Sequence, residues 1–258
     1  MFGRNKQRTE LLVGLDIGSS AIRIALGTRV SGRDGAGQSR IVGVIETPSA
    51  GVQKGVVTSI EEAVSSLSQA IEHAERLVGI PIEEVLVGMT STHIISQTSK
   101  GVVAVAKTDG EIGEEDLGRA VEAARTVATP LNYDILHVVP RTFTVDGQTG
   151  IKDPVGMSGI RLEVDTQMIY GVSAHLKNLT KAVYRTGLDI QDVVLSIFAT
   201  CEVVTTERQR ELGVAVVNIG SATTSLIVYE DGDVIHTAVL TIGSEHITND
   251  IAIGLRTS

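Results

Sequence analysis

The sequence predicts an α/β fold interrupted by an α+β block. Strand-like apolar runs alternate with amphipathic helical stretches, the pattern of a layered α/β protein. One strand–turn–strand pattern occurs twice, far apart in the chain. The stretch from about residue 90 to residue 165 differs in character from both its flanks, so it reads as an insertion.

The elements follow in order. Leu11 to Ile17 is an apolar run with Asp16 near its end. Gly18-Ser19-Ser20 and a second apolar run, Ala21 to Gly27, complete a hairpin. Ser31 to Ser39 is Gly-rich and polar, hence a loop, and Ile41 to Glu46 returns as a strand. Ser59 to Val78 carries Ile60, Val64, Leu67, Ile71, Ala74 and Val78 on one helical stripe. Ser59 and Glu62 give a capping-box pattern at its start, and Gly79 with Pro81 ends it. A short strand, Val85 to Gly88, leads into the insertion. There the pattern gives a strand at Gly101 to Ala106 and an acid-led helix from about Glu114 to Ala128. A strand at Ile135 to Val139 and a Gly/Pro-rich loop at Gly147 to Gly159 follow. Beyond it come a helix at His175 to Arg185 and strands at Val193 to Phe198, Val214 to Ile219, Leu226 to Tyr229 and Val234 to Ile242.

Composition narrows the function. At roughly 100–200 residues per domain, 258 residues make one large domain or two small ones. With 22 Lys+Arg against 31 Asp+Glu the net charge is −9, which argues against sequence-independent binding of nucleic-acid phosphates. The lack of Trp and the scarcity of Phe and Tyr argue against base stacking. A single cysteine, Cys201, forms no intrachain disulfide, and the expected compartment is the cytosol. Arg4, Lys6 and Arg8 precede no apolar segment, so the start is not read as a signal peptide, and three cations give only weak help on an anionic lipid surface. No run reaches the roughly 18 apolar residues of a membrane span.

The repeat carries the chemistry. Val13-Gly14-Leu15-Asp16-Ile17-Gly18-Ser19-Ser20 matches Ala215-Val216-Val217-Asn218-Ile219-Gly220-Ser221-Ala222. Each is an apolar strand that ends in a polar residue and then Ile-Gly-Ser. A Gly turn lets backbone N–H groups approach an anion, and small hydroxyl side chains add donors. An acid at the strand end, Asp16, can hold a hydrated Mg²⁺. Two such hairpins face to face would clamp a nucleotide's phosphates, whereas one alone reads as a plain tight turn. No G-x-x-x-x-G-K-[ST] motif occurs, and Gly35-Ala36-Gly37 lacks the third glycine of a dinucleotide fingerprint.

Other residues take blander readings. None of the six histidines has zinc-site spacing, and Cys201 reads as a buried thiol. Glu114, Glu115 and Asp116 read as a solvated helix N-terminus complementing the macrodipole. Ser19, Ser20, Thr223 and Thr224 have no base beside them in sequence, so they read as phosphate donors or turn formers rather than nucleophiles.

Paired hairpins around an inserted α+β block resemble the actin-like ATPase superfamily, and within it the FtsA family of bacterial cell-division proteins. The residues that carry the resemblance are the first hairpin (Val13 to Ser20), the loop Gly150-Ile151-Lys152-Asp153-Pro154-Val155-Gly156-Met157-Ser158-Gly159 and Asn249-Asp250-Ile251-Ala252-Ile253-Gly254-Leu255. The resemblance implies an actin-like, ribonuclease-H-like α/β lobe over 1–87. It also implies an inserted α+β subdomain of SHS2 type over 88–165, a return to the first lobe over 166–196 and the start of a second lobe over 197–258. It further implies ATP and Mg²⁺ as ligands, with Asp16, Gly18, Ser19, Ser20, Asn218, Gly220, Ser221, Ala222, Thr223, Thr224 and Gly243 at the nucleotide, Asp16 at the metal and no catalytic residue assigned. Gly243-Ser244-Glu245 corresponds to a turn near the ribose and phosphates. The implied role is a cytoplasmic adaptor that ties the FtsZ ring to the inner membrane face, recruits division proteins and self-associates into filaments. It implies more sequence after Ser258, including a C-terminal amphipathic membrane helix.

The chain departs from the family at Asn218, where an Asp is usual, and at Ser221, Ala222 and Ser225. Ser196 stands where many actin-like proteins have an acid or amide that positions the attacking water. Asn and Ser supply neither the charge nor the base, so turnover should fall more than binding, and ATP is expected as a mainly structural ligand. The alternatives are a pilus-assembly platform protein of the same superfamily and an active actin-like ATPase.

Overall fold

The computed structural model describes residues 11–30, 38–107, 109–126 and 129–257. Arg4, Lys6, Arg8 and the Gly35-Ala36-Gly37 loop lie outside them.

The chain forms three layered units. The first is a five-stranded sheet of β1 (Leu11–Ile17), β2 (Ala21–Val30), β3 (Gln38–Pro48), β6 (Glu84–Met89) and β11 (Asp189–Leu195), in the order β11-β6-β1-β2-β3. β1, β2 and β3 are an antiparallel meander, whereas β6 and β11 run parallel to β1. A small ribbon, β4 (Val52–Gln53) with β5 (Val56–Val57), precedes helix α1 (Ile60–Val78). α1 buries Leu67, Ala70, Ile71 and Ala74 against Val13, Leu15, Ile17, Ile22, Ile24 and Leu26 of β1 and β2. Fully burying a Leu or Ile is worth about 1.5–3 kcal/mol, so this stripe drives the docking. Ser59 Oγ accepts from the Glu62 N–H, which is the forward half of the expected capping box. Gly79, with φ +73°, closes the other end by donating to the Glu75 carbonyl at 2.7 Å. Helix α3 (Ser173–Tyr184) packs beside α1 through Leu179, Ala182 and Val183.

The inserted unit is an antiparallel sheet of β7 (Ile94–Ala104), β8 (Tyr133–Val145), β9 (Gln148–Ile151) and β10 (Arg161–Val172), in the order β7-β10-β8-β9. Helix α2 (Glu114–Arg125) lies on it, and Ile112, Ala120, Ala124, Phe143, Val145, Leu162 and Val164 form its core. The third unit is β12 (Val214–Ile219), β13 (Thr224–Glu230) and β14 (Asp233–Leu240), an antiparallel meander beside α4 (Ser196–Val204) and α5 (Glu207–Leu212). Helix α6 (Ser244–Leu255) follows.

Four local readings change. The loop expected over Gly147 to Gly159 contains the short strand β9. The run Val193 to Phe198 is not one strand, because β11 ends at Leu195 and α4 begins at Ser196. The run is largely apolar, with Leu195 and Ile197 buried on either side of the junction, and periodicity cannot separate a strand from a helix in so short a run. β10 extends through the polar Asp165-Thr166-Gln167, which hid it from pattern reading. Thr166 and Gln167 are nonetheless buried, and they donate to the Ser99 carbonyl and to Ser96 Oγ. Asp116 is not solvated: it is 2% exposed, while Glu114 and Glu115 are exposed as expected. Its carboxylate accepts the Gly113 and Ala106 N–H groups and pairs with Arg119.

Candidate functional site: a cleft between two matched hairpins

The two repeated segments fold alike. In the first hairpin the Gly18 N–H donates to the Ala21 carbonyl at 3.0 Å, and in the second the Gly220 N–H donates to the Thr223 carbonyl at 2.8 Å. Asp16 pairs across its hairpin with Arg23, and Asn218 pairs at the matching place with Ser225. Close approach requires glycine at the first turn and leaves little room for a side chain at the second. A Cβ on Gly18 would meet the Ala21 carbonyl oxygen at 2.8 Å, and one on Gly220 would meet the Thr223 oxygen at 3.1 Å.

The hairpins border one cleft of about 520 Å³. Asp16, Gly18, Ser19, Ser20, Asn218, Gly220, Ser221, Ala222 and Thr223 line it. Thr224 and Gly243 lie behind the wall. Thr224 Oγ1 donates to the Ile242 carbonyl at 2.7 Å, and Gly243 abuts the Gly220 and Ser221 carbonyls so closely that a Cβ would sit 2.4–2.5 Å from them. The first-turn N–H groups of α6, from Ser244 and Glu245, donate to those same carbonyls at 2.8 and 2.9 Å. The helix start is therefore spent on bracing the second hairpin.

Sequence reading did not assign Arg23, Gly55, Thr90 and Ser225 to the site, yet all line the cleft, as does Ser244 of the turn expected near the phosphates. Arg23 was within reach, since a hairpin that turns at Ser19-Ser20 sets residue 23 opposite residue 16. Among the described residues it is the one cation lining the cleft, and its Nε donates to Glu46 Oε2 at 2.9 Å. Gly55 and Thr90 come from loops that only the tertiary fold brings in. The Gly55 N–H donates to Ser19 Oγ at 3.0 Å, and Gly55, with φ +73°, lies where any Cβ would meet the Thr90 carbonyl oxygen at 2.1 Å.

Ser196 does not line this cleft. It lies on an adjoining, mostly apolar cavity, and its hydroxyl donates to Asp16 Oδ1 at 2.7 Å. Among the described residues no cluster of three or more His, Cys, Asp or Glu could hold a metal. His93 and His175 face each other with ring centroids 5.7 Å apart, and His175 Nδ1 lies 3.2 Å from the buried Ser91 Oγ. Chemically, the cleft presents small turns, hydroxyls, one carboxylate and one guanidinium, a set suited to an anion with a shared cation.

The fold is that of the actin-like class of proteins. It is similar to a chain of the PilM–PilN type IV pilus biogenesis complex, at a TM-score of 0.63 and 18% identity, covering 96% of this chain and 66% of that one. It is also similar to the ethanolamine utilization protein EutJ from Carboxydothermus hydrogenoformans, at 0.54 and 14%, covering 98% and 60%. These likenesses show fold alone.

Within that class the sequence places the chain in the FtsA family. A model of the SHS2 domain inserted in FtsA matches residues 91–170, and a model of cell division protein FtsA matches residues 215–258. The chain is 39% identical to the cell division protein FtsA of Pseudomonas aeruginosa over 251 residues, which is 97% of this chain and 59% of that protein. It is 39% identical to the FtsA of Bacillus subtilis over 249 residues (96% and 56%), and 34% identical to that of Escherichia coli K12 over 248 residues (96% and 58%). The chain thus spans less than three-fifths of the length of these relatives. The pilus-platform alternative has only the fold in its favour, at 18% identity.

Proposed function

We propose that this chain is the nucleotide-clamping part of a cell-division adaptor, with ATP held between the two hairpins as a mainly structural ligand. The matched hairpin geometry, repeated at a separation of 202 residues on opposite walls of one cleft, supports this reading most directly. The hydroxyls of Ser19, Ser20 and Thr223 suit the phosphate chain, and Arg23 offsets part of its charge. Asp16 is the residue that would hold a hydrated Mg²⁺, which would supply neutralisation of the phosphate charge. Asn218 contributes an amide where a second carboxylate would add a cation ligand, so the metal side of the clamp is half-built.

Slow turnover follows from the same residues. In-line attack needs a group that orients water, and among the described residues lining the cleft the only acid is Asp16, which is assigned to the cation. The two hairpins, one on each unit, would be held together across the cleft by a bound nucleotide. The FtsA relatives are cell-division proteins, and the proposed partners are the FtsZ ring, other division proteins and further copies in a filament. The place of action is the inner membrane face at the division site. Among the described residues no helix is long and apolar enough to cross a membrane. Attachment is assigned to a C-terminal element of the longer relatives.

Thermal unfolding with ATP, with ATP and Mg²⁺, and with neither tests the clamp. Saturating ATP with Mg²⁺ is expected to raise Tm by several degrees through linkage, and Arg23→Ala to reduce that gain. No shift overturns the nucleotide reading. A single-turnover hydrolysis rate that drops on Asp16→Ala overturns the structural-ligand reading. Retention on immobilised FtsZ, against a pilus inner-membrane peptide, tests the division role.

A further inference from the structure

We infer that Ser196 is the positioning residue for Asp16, and that Gly88 exists as the gap through which it reaches. The inference rests on the cleft reading above and names how its metal-side carboxylate is aimed. Asp16 on β1 and Val194 on β11 both pair with Gly88 of β6, so the carboxylate and the hydroxyl of Ser196 sit on either side of the middle strand. Strands two apart are separated by roughly 9–10 Å. An Asp and a Ser span that distance only over a residue with no side chain. A Cβ on Gly88 would lie 2.9 Å from Ser196 Oγ and 3.1 Å from Asp16 Oδ1, inside the space the hydrogen bond uses.

The approach is from behind. Asp16, Arg23 and Asn218 line both the polar cleft and the adjoining, mostly apolar cavity of about 470 Å³, whereas Ser196 lines only the latter, beside Ala25, Val44, Leu86, Val194 and Ala199. The ionised carboxylate only accepts, so the hydroxyl is the donor, and the bond is charge-assisted. Oδ1 is tied to Ser196, which restricts the carboxylate's rotation, and Oδ2 is the oxygen offered to a ligand in the cleft. Ser196 therefore takes no part in activating water. It acts on a cation only through Asp16, as outer partners of metal-binding carboxylates do.

The test compares wild type with Ser196→Ala, Ser196→Thr and Gly88→Ala, each checked for native circular dichroism. Calorimetry gives ATP affinity in EDTA and in Mg²⁺. Ser196→Ala is expected to lose about tenfold of the Mg²⁺-dependent gain, with EDTA affinity unchanged. Ser196→Thr, which keeps the hydroxyl, restores the gain, and Gly88→Ala behaves like Ser196→Ala. Equal loss in EDTA and Mg²⁺, or no loss, overturns the assignment. Crystal structures of wild type and Ser196→Ala decide it even if the wild type binds no ATP, which would defeat the cleft reading alone. Asp16 should hold one rotamer in wild type and several in the variant. One unchanged rotamer in both overturns the inference.

Discussion

Gly101 shows how much a single absent side chain can decide. It lies on β7 directly under α2, where a Cβ would fall 1.9 Å from the Ala120 carbonyl oxygen and 2.8 Å from the Ala124 nitrogen. Those neighbours are backbone and cannot swing aside. Gly101→Ala is therefore expected to cost about 2–3 kcal/mol, as overpacking does, read as a lower urea midpoint with unchanged slope. Asp116 works at the same scale through hydrogen bonding. The Gly113 N–H first, then Arg119, hold its carboxyl below the usual aspartate range, against a smaller opposing effect of burial. Its folded pKa is depressed, so its stabilisation is complete above the unfolded value near 3.9. It is lost as pH falls through the lower folded value. Asp116→Asn should flatten the acid limb of the stability–pH curve, measured by urea unfolding between pH 5 and pH 2.

At the scale of the element, packing outweighs capping. In α1, Leu67 is fully buried against the first sheet, and removing its side chain to Ala should cost about 3 kcal/mol. Ser59 caps the same helix over 3.4 Å, a long bond, so Ser59→Ala should cost under about 1 kcal/mol. Chemical denaturation of the two variants side by side checks the ranking. The loop Gly150 to Gly159 also finds its reason here. The Gly156 N–H donates to the Ile112 carbonyl, the Ile112 N–H to the Met157 carbonyl, and the Gly159 N–H to the Gly110 carbonyl. The loop is a brace across the approach to α2.

At the scale of the molecule, the insertion is not an appendage. Ile169 of β10 shares a core with Leu195, Ile197, Cys201, Val216, Ile227, Tyr229 and Val234, and so joins the inserted sheet to the third unit. Asp233 at the start of β14 accepts Lys152 at 2.8 Å and faces Arg141 at 4.0 Å, both from the insertion. Asp233 is mostly buried, so Asp233→Asn should cost about 1–2 kcal/mol, between an exposed and a buried pair. Equilibrium unfolding measures that cost. His137 of β8 ties the insertion to β11, since its Nε2 accepts the Leu195 N–H at 2.9 Å and is therefore unprotonated. Burial pushes its pKa down, with Asp192 opposing weakly. Stability is then full above about pH 6.5 and falls as the pH drops below it, because the unfolded chain takes the proton first. His137→Leu should shallow the decline in Tm between pH 7 and pH 5, and His175, shifted the same way by burial and by His93, supplies the remainder.

The sequence by itself determined what is local. Asp16-Ile17-Gly18-Ser19-Ser20 and its copy at Asn218 were legible because a hairpin turn is set by adjacent residues, and the stripe of α1 because 3.6-residue periodicity is written in the chain. A polar strand such as β10 was not legible, since Thr166 and Gln167 are satisfied by β7 partners 67 and 71 residues away. Nor was the helix at Ser196, whose run to Val204 is apolar on its buried side (Ile197, Cys201) and on its exposed side (Val203, Val204) alike, so that no period shows. Only the tertiary structure decided which groups meet. It set Gly55 and Thr90 into the cleft wall, turned Ser196 onto Asp16 across Gly88 and joined the insertion to the third sheet. Those contacts depend on strand order and sheet spacing, which arise when distant segments pack and are encoded in no single stretch of sequence.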